Sequence, residues 1–531
     1  MYNSRNNSNN MKKYIGLSIL VLTLGLVSCD DYLDTLPDNR MELKNPNEVS
    51  RMLTSAYIEV VPTYLTEMYS DNADEHRNTA WSAADRFQEQ AYYWQDVTEI
   101  FGFDTPQQIW ESAYTAVNAA NIVIQYIEGL SAEEQSQHTA QLGEAYLCRA
   151  YAIFTLANTF CVAYDKATAS QSLGIPYPTT LETTIDVKYE RGTLAETYEL
   201  IAHDIEEGIK RVGSVYDHPK FHFTPVSAHA LAARFYLYYQ DYEKAIEHAD
   251  YVLGNDAKGK LREWSKFYSL SANGNVAPNG YISSTENANL LLLVCYSEWG
   301  AVCGPYGYAN KYAHGYNLSE SETLQADAPW GNSSDMGYTV WSNGSLSKYF
   351  INKVPYDFEY SDREAGIGQP HMEIPALTTD ETLLIRAEAK ALSGDLSGAV
   401  EDLNIELSAC NTSGAQVTLD GIKAFYDGIA YYTPTEPTPK KMFHTSFPIA
   451  GDGQEQVLQA ILQLKRILFL NEGLRLQDVK RYGIVIYRRV INNDHEVTEV
   501  TDQLAEDDPR RAIQLPQDVI NAGLEPNPRN K

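Results

Sequence analysis

The sequence predicts a mainly α-helical protein, in which tetratricopeptide-like helical hairpins form a scaffold beside a loop-rich subdomain with short strands. Three observations support this prediction. Helical periodicity runs through both flanks of the 531-residue chain. Two segments repeat one helical-hairpin pattern. Between them the periodicity fades, and Gly, Asn, Ser, Trp and Tyr become frequent.

An export signal is predicted at the start of the chain. Lys12 and Lys13 precede a mostly apolar run, 14–28, which is short for a spanning helix of roughly 20 residues. The run ends in "LVSC", which resembles a lipoprotein signal in which Cys29 is lipidated and becomes the first mature residue. The alternative is an ordinary secretory signal cleaved nearby, with Cys29 unmodified. Met11 is the expected initiator, and acyl chains on Cys29 would anchor the protein without spanning the membrane.

Two long amphipathic helices are predicted next. One face of the first carries Trp110, Ala113, Tyr114, Val117, Asn121 and Ile124. The second runs from Leu142 to Phe160 and also has an apolar face.

The repeated pattern occupies residues 231–250, "LAARFYLYYQDYEKAIEHAD", and 385–404, "IRAEAKALSGDLSGAVEDLN". Aligned, they place Ala233 with Ala387 and Asp241 with Asp395, which predicts a helix, a tight polar turn and a second helix in each copy. Small residues recur where the helices must approach closely. Because the copies begin 154 residues apart, they are hairpins with a large insertion between them, not a tandem array.

The insertion, residues 254–375, is predicted to be loop-rich, with "NLLLLVCYS" as a buried strand. Loops of this length within a compact protein are usually functional or disordered, and the high aromatic content argues against disorder.

Composition narrows the range of partners. The chain carries 41 basic and 71 acidic residues, a formal net charge of −30, which argues against binding nucleic acid or anionic lipid headgroups. Tyrosine is abundant, at 38 residues, and its flat face and polar edge suit contacts with partners or sugars as well as the packing of helices. With Cys29 lipidated, five cysteines remain, an odd number, so they cannot all be paired within the chain. Cys295 and Cys303 could form a disulfide or stay as buried thiols.

Taken together, several segments resemble the SusD/RagB family of outer-membrane nutrient-binding lipoproteins. The resemblance begins with "CDDYLDTLP" and "IWESAYTAVNAANIVI", continues through both hairpin segments, and ends with "FLNEGLRLQDVKRYG" and "AIQLPQDVINAGLEPNPRN". It implies that the loop-rich subdomain binds the ligand. It divides the chain into a signal (1–28), an N-terminal helical part (29–253), an aromatic insert (254–375) and a C-terminal helical part (376–531).

The resemblance also implies a function. Family members are lipid-anchored in the outer membrane, face the cell exterior, and cover a SusC-like TonB-dependent transporter. They capture oligosaccharides or, in some branches, peptides, and they are not enzymes. No cofactor is expected. A helical scaffold with no small ligand is a third possibility. The sequence has no GxSxG, HExxH, P-loop or GxGxxG signature. A pair of carboxylates that hydrolyses glycosides is defined by the distance between the two groups in space, which a sequence motif does not reveal.

Sugar binding requires exposed aromatic faces together with a few polar groups that bind hydroxyls. Matching family members place such residues in two regions, the loops after the first helix and the insert. Residues of these types in those regions form our candidate set, although each aromatic could equally belong to the core. The candidates are Asp71, Asn72, Arg77, Trp81, Trp94, Tyr296, Trp299, Tyr306, Tyr308, Trp330 and Trp341. Trp110 and Trp264 are assigned to the core.

No metal site is predicted. His218 and His222 have helical spacing, but Pro219 lies between them, so we expect a loop before a helix that begins near Pro225. The acidic segment that starts at Asp71 lacks the EF-hand pattern, which favours a solvated turn over a calcium site.

Overall fold

Helices account for most of the regular structure, which confirms the predicted mainly α class. The computed structural model describes residues 46–77, 84–181, 188–270, 274–343 and 347–529. Its contacts divide the chain into residues 1–49 and residues 50–531. The predicted signal and Cys29 lie outside the described residues.

The helices up to the insert include both predicted amphipathic helices, which extend a few residues beyond the predicted bounds. Several begin at a Thr, Ser or Asp side chain that accepts a backbone hydrogen bond of the first turn, as Thr105 does from Gln108. In chain order they are α1 (Pro46–Thr54), α2 (Thr63–Tyr69), α3 (Arg86–Tyr92), α4 (Pro106–Glu128), α5 (Ala132–Gln137), α6 (Thr139–Phe160), α7 (Leu194–Ile209), α8 (Pro225–Tyr238) and α9 (Tyr242–Leu253).

The insert contributes short helices, and long helices return after it. They are α10 (Trp264–Tyr268), α11 (Val276–Tyr281), α12 (Trp299–Cys303), α13 (Tyr316–Glu322), α14 (Thr379–Leu392), α15 (Leu396–Cys410), α16 (Leu419–Gly428), α17 (Gln454–Leu468), α18 (Arg475–Arg481) and α19 (Gln517–Asn521).

The two predicted hairpins are confirmed as α8–α9 and α14–α15, and their turns match in register. Gln240 and Gly394 occupy the same aligned position, and both have positive φ, at 60° and 89°. The next residues, Asp241 and Asp395, each cap the second helix by accepting a backbone N–H bond. The left-handed residue reverses the chain, and the aspartate starts the new helix.

The hairpins are neighbours in space despite the insertion between them. Helix α9 packs against α14, so that α4, α6, α7, α8, α9, α14 and α15 form a continuous series in which each helix contacts the next. Helix α17 packs on α14 and α15. This helical series is the scaffold that the sequence predicts.

Nine strands form three small sheets within the described residues. The first has the order β3-β1-β8-β9, the second β2-β7-β6, and the third is the hairpin β4–β5. In the second sheet β7 pairs antiparallel with β2 and β6, and Leu293 lies opposite Ile374. The strands are β1 (Asp74–His76), β2 (Asn289–Tyr296), β3 (Tyr312–Ala313), β4 (Trp341–Asn343), β5 (Lys348–Phe350), β6 (Asp357–Asp362), β7 (Ile367–Thr378), β8 (Ile486–Ile491) and β9 (Val497–Leu504).

The core contains the predicted strand β2, Trp110 and Trp264. Five cysteines, Cys148, Cys161, Cys295, Cys303 and Cys410, are buried free thiols, so the structure supports the thiol alternative for Cys295 and Cys303. None of the helices in the described part of the chain has the length and apolar character needed to cross a bilayer.

Candidate ligand-binding site

The candidates Asp71 and Asn72 lie in a buried network of charged side chains. Both carboxylate oxygens of Asp71 accept hydrogen bonds from Arg475, at 2.8 and 2.9 Å, and Asn72 accepts one of 2.9 Å from Arg466. Burial opposes ionisation, but the charges of Arg466 and Arg475 hold the pKa of Asp71 well below its usual value. These side chains join β1 and its flanks to helices α17 and α18, and their buried polar groups are engaged by protein.

Three of the candidate indoles belong to the interior. Trp94, Trp299 and Trp330 are only 2%, 3% and 2% exposed. The ring N–H of Trp94 donates to the carbonyl of Tyr69 and that of Trp299 to the carbonyl of Asn471, at 2.8 and 2.9 Å. The sequence left open whether these residues bind ligand or belong to the core. In this structure they belong to the core, since they offer no ring face to a ligand. Trp81 lies outside the described residues.

Three tyrosines gather around Glu298, and we call Tyr306, Tyr308, Tyr356 and Glu298 the tyrosine surface. The rings of Tyr306 and Tyr356 meet edge to face, with centroids 5.4 Å apart. Tyr308 is 41% exposed, and its hydroxyl donates a 2.9 Å hydrogen bond to Glu298. Tyr306, Tyr356 and Glu298 are half-buried, so each is held in place while remaining reachable from solvent.

The candidate Tyr296 lies beside this surface, at the end of β2. Its ring stacks on Phe103, with centroids 5.1 Å apart. The buried carboxylate of Asp104, the residue after Phe103, accepts hydrogen bonds from the Ser297 hydroxyl at 2.6 Å and the Glu298 backbone N–H at 2.9 Å. Burial raises the pKa of Asp104 to about 7. Asp104 therefore fixes the turn that presents Glu298.

Lys348 supports the tyrosine surface from below. Its buried ammonium group donates to the carbonyl oxygens of Tyr306 and Tyr308, at 3.0 and 3.1 Å. Burial lowers the pKa of Lys348 to about 8. We call the segment that carries Tyr306 and Tyr308 the tyrosine loop. Because Lys348 is on β5, it ties this loop to the β4–β5 hairpin, where the candidate Trp341 lies opposite Phe350 and is 37% exposed.

Arg77 is exposed and bound by carboxylates. It donates to Glu75 at 2.8 Å and to Glu499 at 3.4 Å, and Glu75 also accepts the hydroxyl hydrogen bond of Tyr93. Arg77 thus borders the segment 78–83, which lies outside the described residues together with Trp81.

A separate cavity of about 110 Å³ lies among α6, β7 and the loop before α18. At its polar end, Glu472 accepts a 2.6 Å hydrogen bond from the Tyr281 hydroxyl and another from the Lys353 ammonium group. The apolar wall includes Phe154 and Met372. At this end of the cavity, Glu472, Tyr281 and Lys353 are therefore bonded to one another.

Of the candidates, Tyr306 and Tyr308 thus belong to the tyrosine surface, Tyr296 lies beside it, and Trp341 is on the adjoining hairpin. Four residues at this site were not among the candidates predicted from the sequence: Tyr356, Glu298, Asp104 and Lys348. The alternating aromatics of "YDFEY" (356–360) are typical of a strand with one aromatic face, and that pattern could have pointed to Tyr356. A buried lysine or aspartate leaves no such signal.

Comparison with known proteins shows which family model and which solved structures this chain resembles. The SusD-like family model described as starch-binding associating with outer membrane matches residues 31–237. The match covers about two fifths of the chain, and the fold is SusD-like. A comparison with curated proteins finds no match.

Solved structures agree with the SusD-like fold over nearly the whole chain. A candidate sugar-binding protein from Bacteroides vulgatus is 17% identical, with a TM-score of 0.64, and the alignment covers 92% of this SusD-like chain and 99% of that protein. A SusD superfamily protein from Bacteroides thetaiotaomicron is 18% identical, with a TM-score of 0.62 and coverages of 91% and 99%. A laminarin-binding SusD-like protein is 16% identical, with a TM-score of 0.53 and coverages of 92% and 100%. At sequence identities this low, the structural similarity establishes the fold alone.

Proposed function

We propose that this SusD-like protein captures oligosaccharides at the cell surface and delivers them to a SusC-like TonB-dependent transporter, without catalysing a reaction on them. The main support for this proposal is the tyrosine surface. Sugar rings present C–H faces that pack on aromatic rings, and their hydroxyls need a few fixed polar groups. Tyr306, Tyr308 and Tyr356 supply the rings, and Glu298 supplies a hydrogen-bond acceptor beside them.

The comparisons support the same proposal from outside the site. The matching family model is described as starch-binding, and two of the similar structures are described as sugar-binding or laminarin-binding proteins. In the cell, lipidation at Cys29 would hold the mature chain at the outer membrane, facing the exterior. The helical series would face the transporter, and the aromatic insert would face the ligand.

Titration of the protein that begins at residue 30 with laminarin, soluble starch and a peptide library tests the capture step. We expect a glycan to bind, and the Tyr306→Ala/Tyr308→Ala double variant to lose at least tenfold in affinity. Tyr308→Phe keeps the ring but loses the hydrogen bond to Glu298, and therefore separates stacking from hydrogen bonding. Tyr251→Ala, which removes an exposed ring on α9, is the control and should bind normally.

Two results would contradict the capture proposal. Peptide binding that survives the double variant, without glycan binding, would favour the peptide-binding alternative. Recovery of the transporter alone, with no small ligand bound, would favour a scaffold. Delivery is tested separately in the source cells. The tagged protein should co-purify with a TonB-dependent transporter, and Cys29→Ala should leave the membrane fraction.

A further inference from the structure

Carboxylates dominate the charge at the tyrosine surface. Burial, the adjoining carboxylate of Glu298 and the charge of Asp85 together raise the pKa of the Tyr308 hydroxyl. Burial and the charge of Glu298 likewise raise the pKa of Tyr356. Two of the three rings therefore lie within the field of the same carboxylate. Strand β6 continues from Tyr356 with Asp357 and with Glu359, which is exposed.

Among the described residues, basic side chains near this surface interact with other groups, as Lys311, three residues beyond Tyr308, does with Glu89 at 3.1 Å. Lys348 lies directly below it, but it is buried and its ammonium group donates to the carbonyls of Tyr306 and Tyr308. Arg363, at the tip of the β6–β7 hairpin, lies 5.8 Å from the ring centroid of Tyr360, four residues along the chain from Tyr356. A carboxylate or sulfate group on a ligand would therefore meet Glu298 rather than a cation.

We propose that the tyrosine surface selects uncharged glycans and rejects polysaccharides that carry carboxylate or sulfate groups, an inference that rests on the proposed glycan-binding function. A carboxylate offers about four acceptor positions, and Tyr308 uses one position on Glu298. The remaining positions accept hydroxyl hydrogen bonds from a neutral sugar. An anionic sugar gains no such partner and is repelled by Glu298, by Asp85 and by the net charge of −30.

Matched polymers provide the test. The protein that begins at residue 30 is titrated with laminarin and carboxymethyl laminarin, and with soluble starch and carboxymethyl starch, at 20 mM and at 300 mM NaCl. We expect the neutral form of the polymer that binds to bind at least tenfold more tightly at low salt. The difference should shrink at high salt, because salt screens exposed charges.

Glu298→Gln identifies the selecting group. This change keeps the size of the side chain and an acceptor oxygen but removes the charge, so it should narrow the difference between neutral and charged polymers severalfold. Glu247→Gln, on the exposed face of α9, removes the same charge elsewhere and should leave the difference unchanged.

The outcomes are distinguishable. Equal affinity for both forms of a polymer, or tighter binding of the charged form, overturns the selection while leaving glycan capture intact. Equal effects of Glu298→Gln and Glu247→Gln assign the rejection to overall charge and overturn the role of this surface. If no polymer of either form binds, the proposed function fails and the selection fails with it.

Discussion

The ammonium nitrogen of Lys348 donates a hydrogen bond of 3.0 Å to the carbonyl oxygen of Tyr306. Backbone carbonyls also accept hydrogen bonds from other buried cations, among them Lys480 and Arg488. Lys480 donates to carbonyl oxygens at the end of α6, and Arg488 to carbonyl oxygens at the end of α2. The last carbonyls of a helix carry partial negative charge, so a cation is favourable there. At Lys348 the carbonyls belong to the tyrosine loop, so a buried cation of this kind supports the candidate site directly.

Lys348→Met should therefore loosen the tyrosine loop. The change leaves the carbonyls of Tyr306 and Tyr308 without their buried donor, and an unsatisfied buried polar group costs about 1–3 kcal/mol. We expect a loss of that size in urea unfolding and weaker glycan binding. Lys311→Met, which removes a partly exposed ion pair with Glu89, is the control and should change stability by less than about 1 kcal/mol. Equal effects of the two variants would contradict a supporting role for Lys348.

Asp104→Asn should stabilise the protein increasingly as the pH rises. Burial raises the pKa of Asp104 to about 7, above its unfolded value of about 4. Between these values the folded state holds a proton that the unfolded state lacks, so the contribution of Asp104 to stability falls as the pH rises through this window. Asparagine can still accept from the Glu298 N–H and has no charge to bury.

The gain from Asp104→Asn should reach on the order of 1–4 kcal/mol at pH 8 and be small at pH 4.5. Thermal unfolding at both pH values measures it. Glu359→Gln, which neutralises an exposed carboxylate on β6, should show no such dependence. A gain that is the same at both pH values would mean that the ionisation of Asp104 does not limit stability.

The sequence predicted the helical hairpins well because their signals are local. A left-handed turn residue followed by an aspartate cap repeats at Gln240–Asp241 and Gly394–Asp395, and helical periodicity fixes which faces meet. The insert has no comparable period. Composition shows that aromatics are present, but whether Trp94 packs inward or Tyr308 outward depends on long-range contacts such as those of Arg488 and Glu298.

Close helix packing gives a third prediction, at Gly208 on α7. A Cβ added there would lie 2.5 Å from the Leu147 side chain on α6, so Gly208→Ala should cost about 1–3 kcal/mol through overpacking. Gly428, at the end of α16, has nothing within 4 Å of the same position. Gly428→Ala should be neutral, or stabilising by up to about 1 kcal/mol. Chemical denaturation distinguishes the two, and a loss at both positions would mean that backbone conformation, not packing, sets the cost.

Buried arginine–aspartate pairs join successive helices at two places in the scaffold. Arg149 on α6 binds Asp204 on α7 through two hydrogen bonds, of 2.6 and 2.8 Å. Arg386 on α14 binds Asp402 on α15 in the same manner, at 3.0 and 2.7 Å. In the second pair the aspartate has a second cationic partner, because the ammonium nitrogen of Lys390 also lies 2.9 Å from a carboxylate oxygen of Asp402.

This difference predicts unequal costs for removing the two arginines. Arg149→Met leaves Asp204 buried without its principal cation and should cost about 3–5 kcal/mol. Arg386→Met leaves Lys390 to neutralise Asp402, so the loss should be smaller. Replacing both members of the first pair, Arg149→Met with Asp204→Leu, should recover part of the loss, because no buried charge remains. Urea unfolding of the four proteins, wild type included, measures these values. A larger loss for Arg386→Met than for Arg149→Met would show that Lys390 does not compensate.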